Sequence, residues 1–187
     1  MSIQNSPNEV YDAIQTLGAF YRRFLSSGNK TIPFSDELDI VRDYIKLQRL
    51  RYDDMFEDEY ETDESTYGIM VPKLILQPLV ENSIYHGIRP RGEKCKIKIS
   101  AFVSENVFHI IVYDNGIGMT EERMAELMNG KDFKSYGLQS TINRLRYYCG
   151  CDDVAKISSV KGEYCEIELK IYLDSIDDKR GEYICTE

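Results

Sequence analysis

The 187 residues carry 23 basic and 32 acidic side chains, a net charge of −9, and are 42% hydrophobic and 11% aromatic. That composition excludes a fully disordered chain, and the negative balance argues against a nucleic-acid polymer or an anionic membrane surface as partner. No apolar run approaches the ~20 residues that span a bilayer; the longest, Ile69 to Val80, is broken by Pro72, Lys73, Gln77 and Pro78, and Met1 to Phe20 lacks a signal-peptide pattern. The expectation is a soluble, intracellular globular chain.

In chain order, Val10, Ala13, Ile14, Leu17, Phe20, Tyr21 and Phe24 recur at helical spacing and predict a helix over Asn8 to Leu25, ended by Ser26-Ser27-Gly28-Asn29. A second helix is expected from Ser35 to Tyr52, with Asp36 and Glu37 in the first turn, where the macrodipole favours acids. Leu38, Val41 and Ile45 make one apolar stripe and Ile40, Tyr44, Leu47 and Leu50 another, so two packing partners are expected, one of them a candidate second subunit. The acidic stretch Asp53 to Glu64 reads as an edge strand protected by like charge. A helix over Lys73 to His86, bent or restarted at Pro78 and stopped by Gly87, follows.

Period-two alternation then predicts strands over Lys94 to Val103 and Val107 to Asp114. A helix over Glu121 to Met128, a loop over Asn129 to Tyr136 and a helix over Leu138 to Tyr148 precede strands over Ala155 to Val160 and Tyr164 to Leu173. From Ser175 the chain reads as a polar tail. This order fits an α+β fold in two layers, a mixed or antiparallel sheet covered by helices on one face, with a helical segment in front. The five cysteines form an odd set without C-x-x-C spacing, which suggests neither a disulfide framework nor a zinc site.

Three places carry candidate chemistry. Asp114 ends a strand on the face of Phe108, Ile110 and Val112, where an unpaired carboxylate costs several kcal/mol unless a donor meets it. Asn115-Gly116-Ile117-Gly118 follows; it reads equally as a turn or as a loop that lets a ligand approach the backbone, and an exocyclic amine such as adenine N6 is a natural donor to Asp114. Glu81, Asn82 and Tyr85 fall on one side of their helix, opposite Leu76, Leu79, Val80, Ser83 and Ile84; the face is either plain polar surface or a Mg²⁺ site through the Asn82 amide oxygen. Ser135-Tyr136-Gly137-Leu138 opens a helix, either as an ordinary cap or as a phosphate site on unpaired amides.

The order of these pieces resembles the ATP-binding domain of sensor histidine kinases, in the wider GHKL family shared with gyrase, the Hsp90 chaperones and MutL. The N box is Glu81-Asn82, the first glycine box Asp114-Asn115-Gly116-Ile117-Gly118 and the second Gly137-Leu138. The run Ile69 to Ile88, with Glu37-Leu38 through Tyr44-Ile45-Lys46-Leu47-Gln48-Arg49-Leu50-Arg51-Tyr52, is similar to the LytS/YesM branch.

The resemblance implies that Asp114 accepts from adenine N6, that Gly116 and Gly118 shape the purine pocket, and that Asn82 ligates Mg²⁺ bridging the phosphates of ATP. Glu81 is implied as the catalytic carboxylate, and Tyr85, Ser135, Gly137 and Leu138 as nucleotide-contacting positions at the edge of a lid, Thr120 to Tyr136. His86 is read as structural, and phosphate is expected to lean on Mg²⁺ and on Lys131, Lys134, Arg89 or Arg91; Arg89 and Arg91 form a locally basic cluster with Lys94, Lys96 and Lys98. The chain departs from the family pattern at Ser135, at Tyr85, where many relatives have Lys, and in Gly162-Glu163-Tyr164-Cys165, where Gly-x-Gly-Thr is usual. Pro78 stands where gyrase-like hydrolases carry the water-activating Glu, which argues against hydrolysis.

The implied organisation is a helical stem or linker over residues 1–52, an ATPase domain over 53–174 and a tail over 175–187. The Pro-His-Phe motif bearing the phosphorylated His does not occur, so the expectation is the cytoplasmic portion of a longer, dimeric, membrane-bound receptor that passes phosphate to a response regulator. The competing expectations are a catalytically degenerate nucleotide-binding scaffold and a serine kinase acting on a partner protein.

Overall fold

The computed structural model describes residues 11, 14–18, 21–22, 30–52, 55–128 and 136–174. The expected break at Ser26 to Asn29, Asp53 and Asp54, the loop 129–135 and the tail from Ser175 lie outside the described residues. Within 11–22 every described position is helical, and Tyr11, Ile14, Leu17 and Tyr21 are exposed.

A short strand β1 (Thr31–Pro33) leads into helix α1 (Phe34–Arg51), and β1 pairs antiparallel with β3 (Met70–Pro72). Two first-turn amides of α1 that have no intrahelical acceptor donate to the chain just before β3, Phe34 N to Ile69 O at 2.8 Å and Ser35 N to Tyr67 O at 3.1 Å. Both apolar stripes of α1 are used within this chain: Leu38, Val41 and Ile45 are buried, and so are Ile40 and Tyr44 of the second stripe, while Leu50 stays exposed. Phe34 is fully buried and meets Phe108 edge-on with ring centroids 4.9 Å apart, so α1 shares one core with the sheet.

The main sheet runs β2 (Phe56–Thr62), β4 (Cys95–Ser104), β5 (Val107–Asp114), β7 (Tyr164–Tyr172), β6 (Ala155–Val160). β2 lies parallel to β4 and every other neighbour is antiparallel. One face buries Ile97, Ile99, Phe108, Ile110, Val112, Ile167, Leu169 and Ile171 under the helices, which is the predicted two-layer α+β arrangement. β2 is an edge strand, as its acidity suggests, but its charge is matched rather than merely repulsive. Lys94 pairs with Glu57 at 2.8 Å, Lys98 with Glu61 at 2.7 Å, and Lys96 with Glu59 between them. The expected basic cluster is therefore largely neutralised by its neighbouring strand, because parallel pairing brings each lysine beside an acid.

The helix predicted over 73–86 is shifted. Residues 73–76 form an irregular turn with Leu74 at φ 62°, and helix α2 begins at Gln77. It runs α-helical over Gln77–Asn82, widens into a π turn over Ser83–Ile88, and closes with Arg89–Arg91 before Gly92 adopts φ 72°. Gly87 is thus inside the helix and does not end it; Pro90, with no amide hydrogen, removes one α-helical bond just where the wide turn reverts. Helix α3 (Glu121–Met128) and helix α4 (Tyr136–Cys149) complete the layer.

Phe34→Ala removes a fully enclosed ring from the α1–sheet seam, so it should cost about 3–5 kcal/mol of unfolding free energy. Urea denaturation of the two proteins measures this, and a loss under about 1 kcal/mol would mean that α1 does not belong to the common core.

Candidate functional site

Asp114 is the last residue of β5, 1% exposed, on the buried face as its register with Val112 and Ile110 predicts. Its Oδ1 accepts the Gly116 amide at 3.0 Å, while Oδ2 is buried without a hydrogen-bond partner. Burial raises its pKa from 3.8 to about 6, opposed by the Ser83 hydroxyl and the Gly116 amide.

The backbone around this carboxylate is packed with no room for side chains. A Cβ on Gly87 would lie 2.4 Å from Asp114 Oδ1, and one on Gly116 would lie 2.4 Å from the Gly87 carbonyl carbon. Gly118 sits at φ 58°, and its Cβ would fall 2.1 Å from Val160 O, so the first glycine box is sterically obligatory. Ile117 N donates to Gly87 O at 3.0 Å, and Gly162 N donates to Ile117 O at 2.6 Å, which joins α2, the loop and the β6–β7 turn in one backbone chain. Arg91 Nη1 caps the same junction, donating to Asn115 O at 2.8 Å, Gly116 O at 2.9 Å and Gly162 O at 3.2 Å.

Two chambers meet beside these residues. The larger, about 560 Å³, is lined by Asp114, Gly118 and Met119 on the sheet side, by Asn82, His86 and Gly87 of α2, and by Cys165 and Gly162 from β7 and its turn. Arg123 and Lys161 supply its cations. The smaller, about 310 Å³, is lined by Pro78, Glu81, Asn82, Tyr85, His86, Gly137 and Leu138. Asn82 and His86 belong to both, so they form the shared wall. Asn82 and His86 share a face at i, i+4, and the π turn brings Gly87, at i+5 from Asn82, into line with them.

Of the residues singled out from sequence, Asn82, Asp114 and Gly118 line the large chamber, and Glu81, Asn82, Tyr85, Gly137 and Leu138 the small one. Gly116 lies beneath the floor, against Gly87. Ser135, Lys131 and Lys134 lie outside the described residues. Arg91 is committed to three carbonyls, and Arg89 lies over the rings of Tyr52 and Tyr85 at 5.1 and 5.5 Å, so neither faces the chambers. His86 is exposed on the chamber wall and is not a packing residue. Glu81 accepts from Gln77 Nε2 at 2.9 Å, with Tyr44 of α1 behind it; burial, then the Glu81 charge, pushes the Tyr44 hydroxyl upward. Tyr85 donates to Gln48 Oε1 at 3.4 Å.

Sequence reasoning missed Gly87, His86, Arg123, Lys161 and Cys165 as chamber residues. A signal for Cys165 was present, since it closes the altered Gly-x-Gly-Thr position; its thiol is pushed up to about 12 by burial and the Asp114 charge. Nothing in the helical period points to Gly87, because only the wide turn brings it to the strand end.

The donor set suits a nucleotide with magnesium. Asp114 Oδ2 is an unpartnered buried acceptor at the floor of one chamber, and the amide of Asn82 stands between the two. The Asn82 amide oxygen is a donor of the kind Mg²⁺ accepts when it takes few protein ligands and completes its shell from phosphates and water.

Residues 70–175 match the family described as histidine kinase-, DNA gyrase B-, and HSP90-like ATPase, and residues 1–56 match the histidine kinase family. The chain is 33% identical over 173 residues to the sensor protein kinase HptS of Staphylococcus aureus, covering 90% of this chain and 33% of that protein. It is 34% identical over 119 residues to an uncharacterized sensor-like histidine kinase of Staphylococcus epidermidis, covering 64% of this chain and 23% of the other. Against protein YwpD of Bacillus subtilis the identity is 33%, over 75% of this chain and 50% of that one, so the chain spans half or less of the length of these relatives. The fold is shared with the Acinetobacter baumannii histidine kinase AdeS (TM-score 0.59, 18% identity, 89% of this chain and 78% of that one). It is shared also with the catalytic domain of histidine kinase ThkA (TM-score 0.55, 19% identity, 78% and 97%).

Because the folded pKa of Asp114, about 6, lies above its unfolded value of 3.8, the neutral acid is the form that the fold prefers. Its contribution to stability is complete below pH 3.8 and is lost as pH rises through 6. Asp114→Asn, neutral at every pH, should therefore stabilise the ligand-free protein at pH 7.5 by about 2–3 kcal/mol and by almost nothing at pH 3.5. Thermal unfolding at both pH values checks the sign.

Proposed function

Because the chain belongs to the family of histidine kinase-, DNA gyrase B- and HSP90-like ATPases, we propose that it is the ATP-binding catalytic region of a two-component sensor histidine kinase. In this reading the γ-phosphoryl group of ATP passes to a ring nitrogen of a histidine and ADP leaves. The phosphate is then relayed to an aspartate of a response regulator. The observation that carries the reading is the Asp114 carboxylate, buried with Oδ2 unpartnered at the floor of a 560 Å³ chamber that opens onto the Asn82 wall.

Asp114 accepts the exocyclic amine of adenine, and Gly87, Gly116 and Gly118 keep backbone and carboxylate close enough for a flat base to reach it. Magnesium, when bound, neutralises phosphate charge; Asn82 is the residue that would hold it. Gly137 and Leu138 open α4 on the small chamber, where backbone amides at a helix start favour phosphate, with Tyr85 as a further contact. Glu81, half-buried at the small chamber and oriented by Gln77, is the carboxylate in place to take a proton from the acceptor histidine. Catalysis then rests on positioning and charge rather than on covalent chemistry by the protein.

The accompanying division is stem or linker over 1–52, ATPase over 53–174 and tail over 175–187, with α1 as the part of the stem packed into the ATPase core. The intact protein is read as a homodimer, attached to the cytoplasmic face of the membrane through other segments; among the described residues no helix is long and apolar enough to cross a bilayer.

Calorimetry with Mg-ATP tests the site. Wild type should bind, and Asp114→Ala should weaken binding by ~10–100-fold, the worth of a charged hydrogen bond. Affinity should also fall about tenfold per pH unit below 6, as the carboxylate protonates. Labelled ATP offered with a stem peptide bearing the acceptor histidine should label that peptide, and Glu81→Gln should slow labelling more than it weakens binding. Binding without transfer would leave a nucleotide-binding scaffold; no binding by wild type would remove the reading.

A further inference from the structure

Glu37 is completely buried, although the helix dipole alone would leave it in solvent. Its carboxylate reaches across to the irregular turn before α2, accepting Ile75 N at 3.1 Å and Leu76 N at 3.2 Å through Oε2 and Leu74 N through Oε1. The carbonyls of the same turn are taken from the other side by Arg144 of α4, whose Nη1 donates to Lys73 O at 2.8 Å and Nη2 to Leu74 O at 3.0 Å. One acid from α1 and one guanidinium from α4 thus hold the two edges of a four-residue turn whose Leu74 is left-handed.

Both nucleotide-facing helices are tied to this clamp, α2 by its start and α4 by its middle. Leu76 caps α2, its carbonyl accepting Leu79 N at 3.0 Å and Val80 N at 3.1 Å, one turn before Glu81 and Asn82. Arg144 lies seven residues, ~10 Å of helix, beyond Gly137. At the small chamber the two helix starts lie side by side, so that a Cβ added to Gly137 would come to 3.4 Å from Pro78 Cβ. The large chamber takes its floor from β5 and the β6–β7 turn, outside the clamp; Asn82, His86 and Gly87 of α2 also line it, Gly87 being held to that floor by its own bond from Ile117 N.

We infer that Glu37 is a positioning residue, which, with Arg144, sets the spacing of α2 and α4 across the phosphate chamber. The inference rests on the nucleotide reading above. Loss of the Glu37 carboxylate or of the Arg144 guanidinium would free the Lys73–Leu76 turn and loosen the phosphate end of the site more than the adenine end. Burial raises the Glu37 pKa, against the pull of the three amides and Arg144.

The experiment compares ATP with adenosine, each by NMR titration with magnesium present, for wild type, Glu37→Gln and Arg144→Met. Both variants should lose about tenfold in ATP affinity while adenosine affinity changes less than about twofold. Equal loss for both ligands would show a purely structural contribution, and unchanged ATP binding by folded variants would show none; either overturns the inference. Arg144→Met keeps Glu37 and its three amide bonds, so if Glu37→Gln does not fold, the same ratio measured on Arg144→Met decides. Wild type that binds neither ligand overturns the nucleotide reading itself, and this inference with it.

Discussion

Helix α2 and the end of β5 meet with only the Asp114 carboxylate between them, because a methyl on Gly87 would overlap Asp114 Oδ1 at 2.4 Å and one on Gly116 would overlap the Gly87 carbonyl. The rest of the site depends on that approach. It lets Ile117 N reach Gly87 O, and through Ile117 O the β6–β7 turn joins the same hydrogen-bonded chain. It places Arg91 where one guanidinium nitrogen serves three carbonyls. It also requires the wide turn of α2, since only a π turn brings Gly87 into line with Asn82 and puts both on the chamber wall.

The same packing explains why the site is energetically poised. A carboxylate with one oxygen unpartnered in a closed protein interior destabilises the ligand-free fold, which is what a pKa of about 6 means for an aspartate. The protein tolerates this because the surrounding core is large and continuous from α1 through the sheet. A donor from an adenine ring removes the deficit, so part of the binding free energy comes from relieving a cost built into the fold. A site arranged in this way favours function over stability at one residue.

Much of this was legible in the sequence. The alternation of Phe108, Ile110 and Val112 placed Asp114 on the buried face, and Val107–Asp114, Glu121–Met128 and Ala155–Val160 have the expected bounds. Period-two and 3.6-residue patterns report burial, and these elements are governed by burial. The parts that were not legible depend on other physics. Gly87 read as a helix stop, since a glycine signals termination unless something crosses at that point. Glu37 read as a first-turn acid, because its three amide donors lie 37–39 residues away and leave no local trace. β1 and β3 are three residues each and too short for a period, and the Lys94, Lys96 and Lys98 row read as basic until strand pairing set Glu57, Glu59 and Glu61 beside it.

The central claim, that Asp114 is an ionised acceptor for an adenine amine, is tested most directly by following its carboxyl carbon by ¹³C NMR through a pH titration, with and without Mg-ATP. The account predicts a pKa near 6 in the free protein and a fall of at least about one unit when the nucleotide is bound, since a donor to the charged form favours it. An Asp114 pKa unchanged or raised by saturating nucleotide would contradict it.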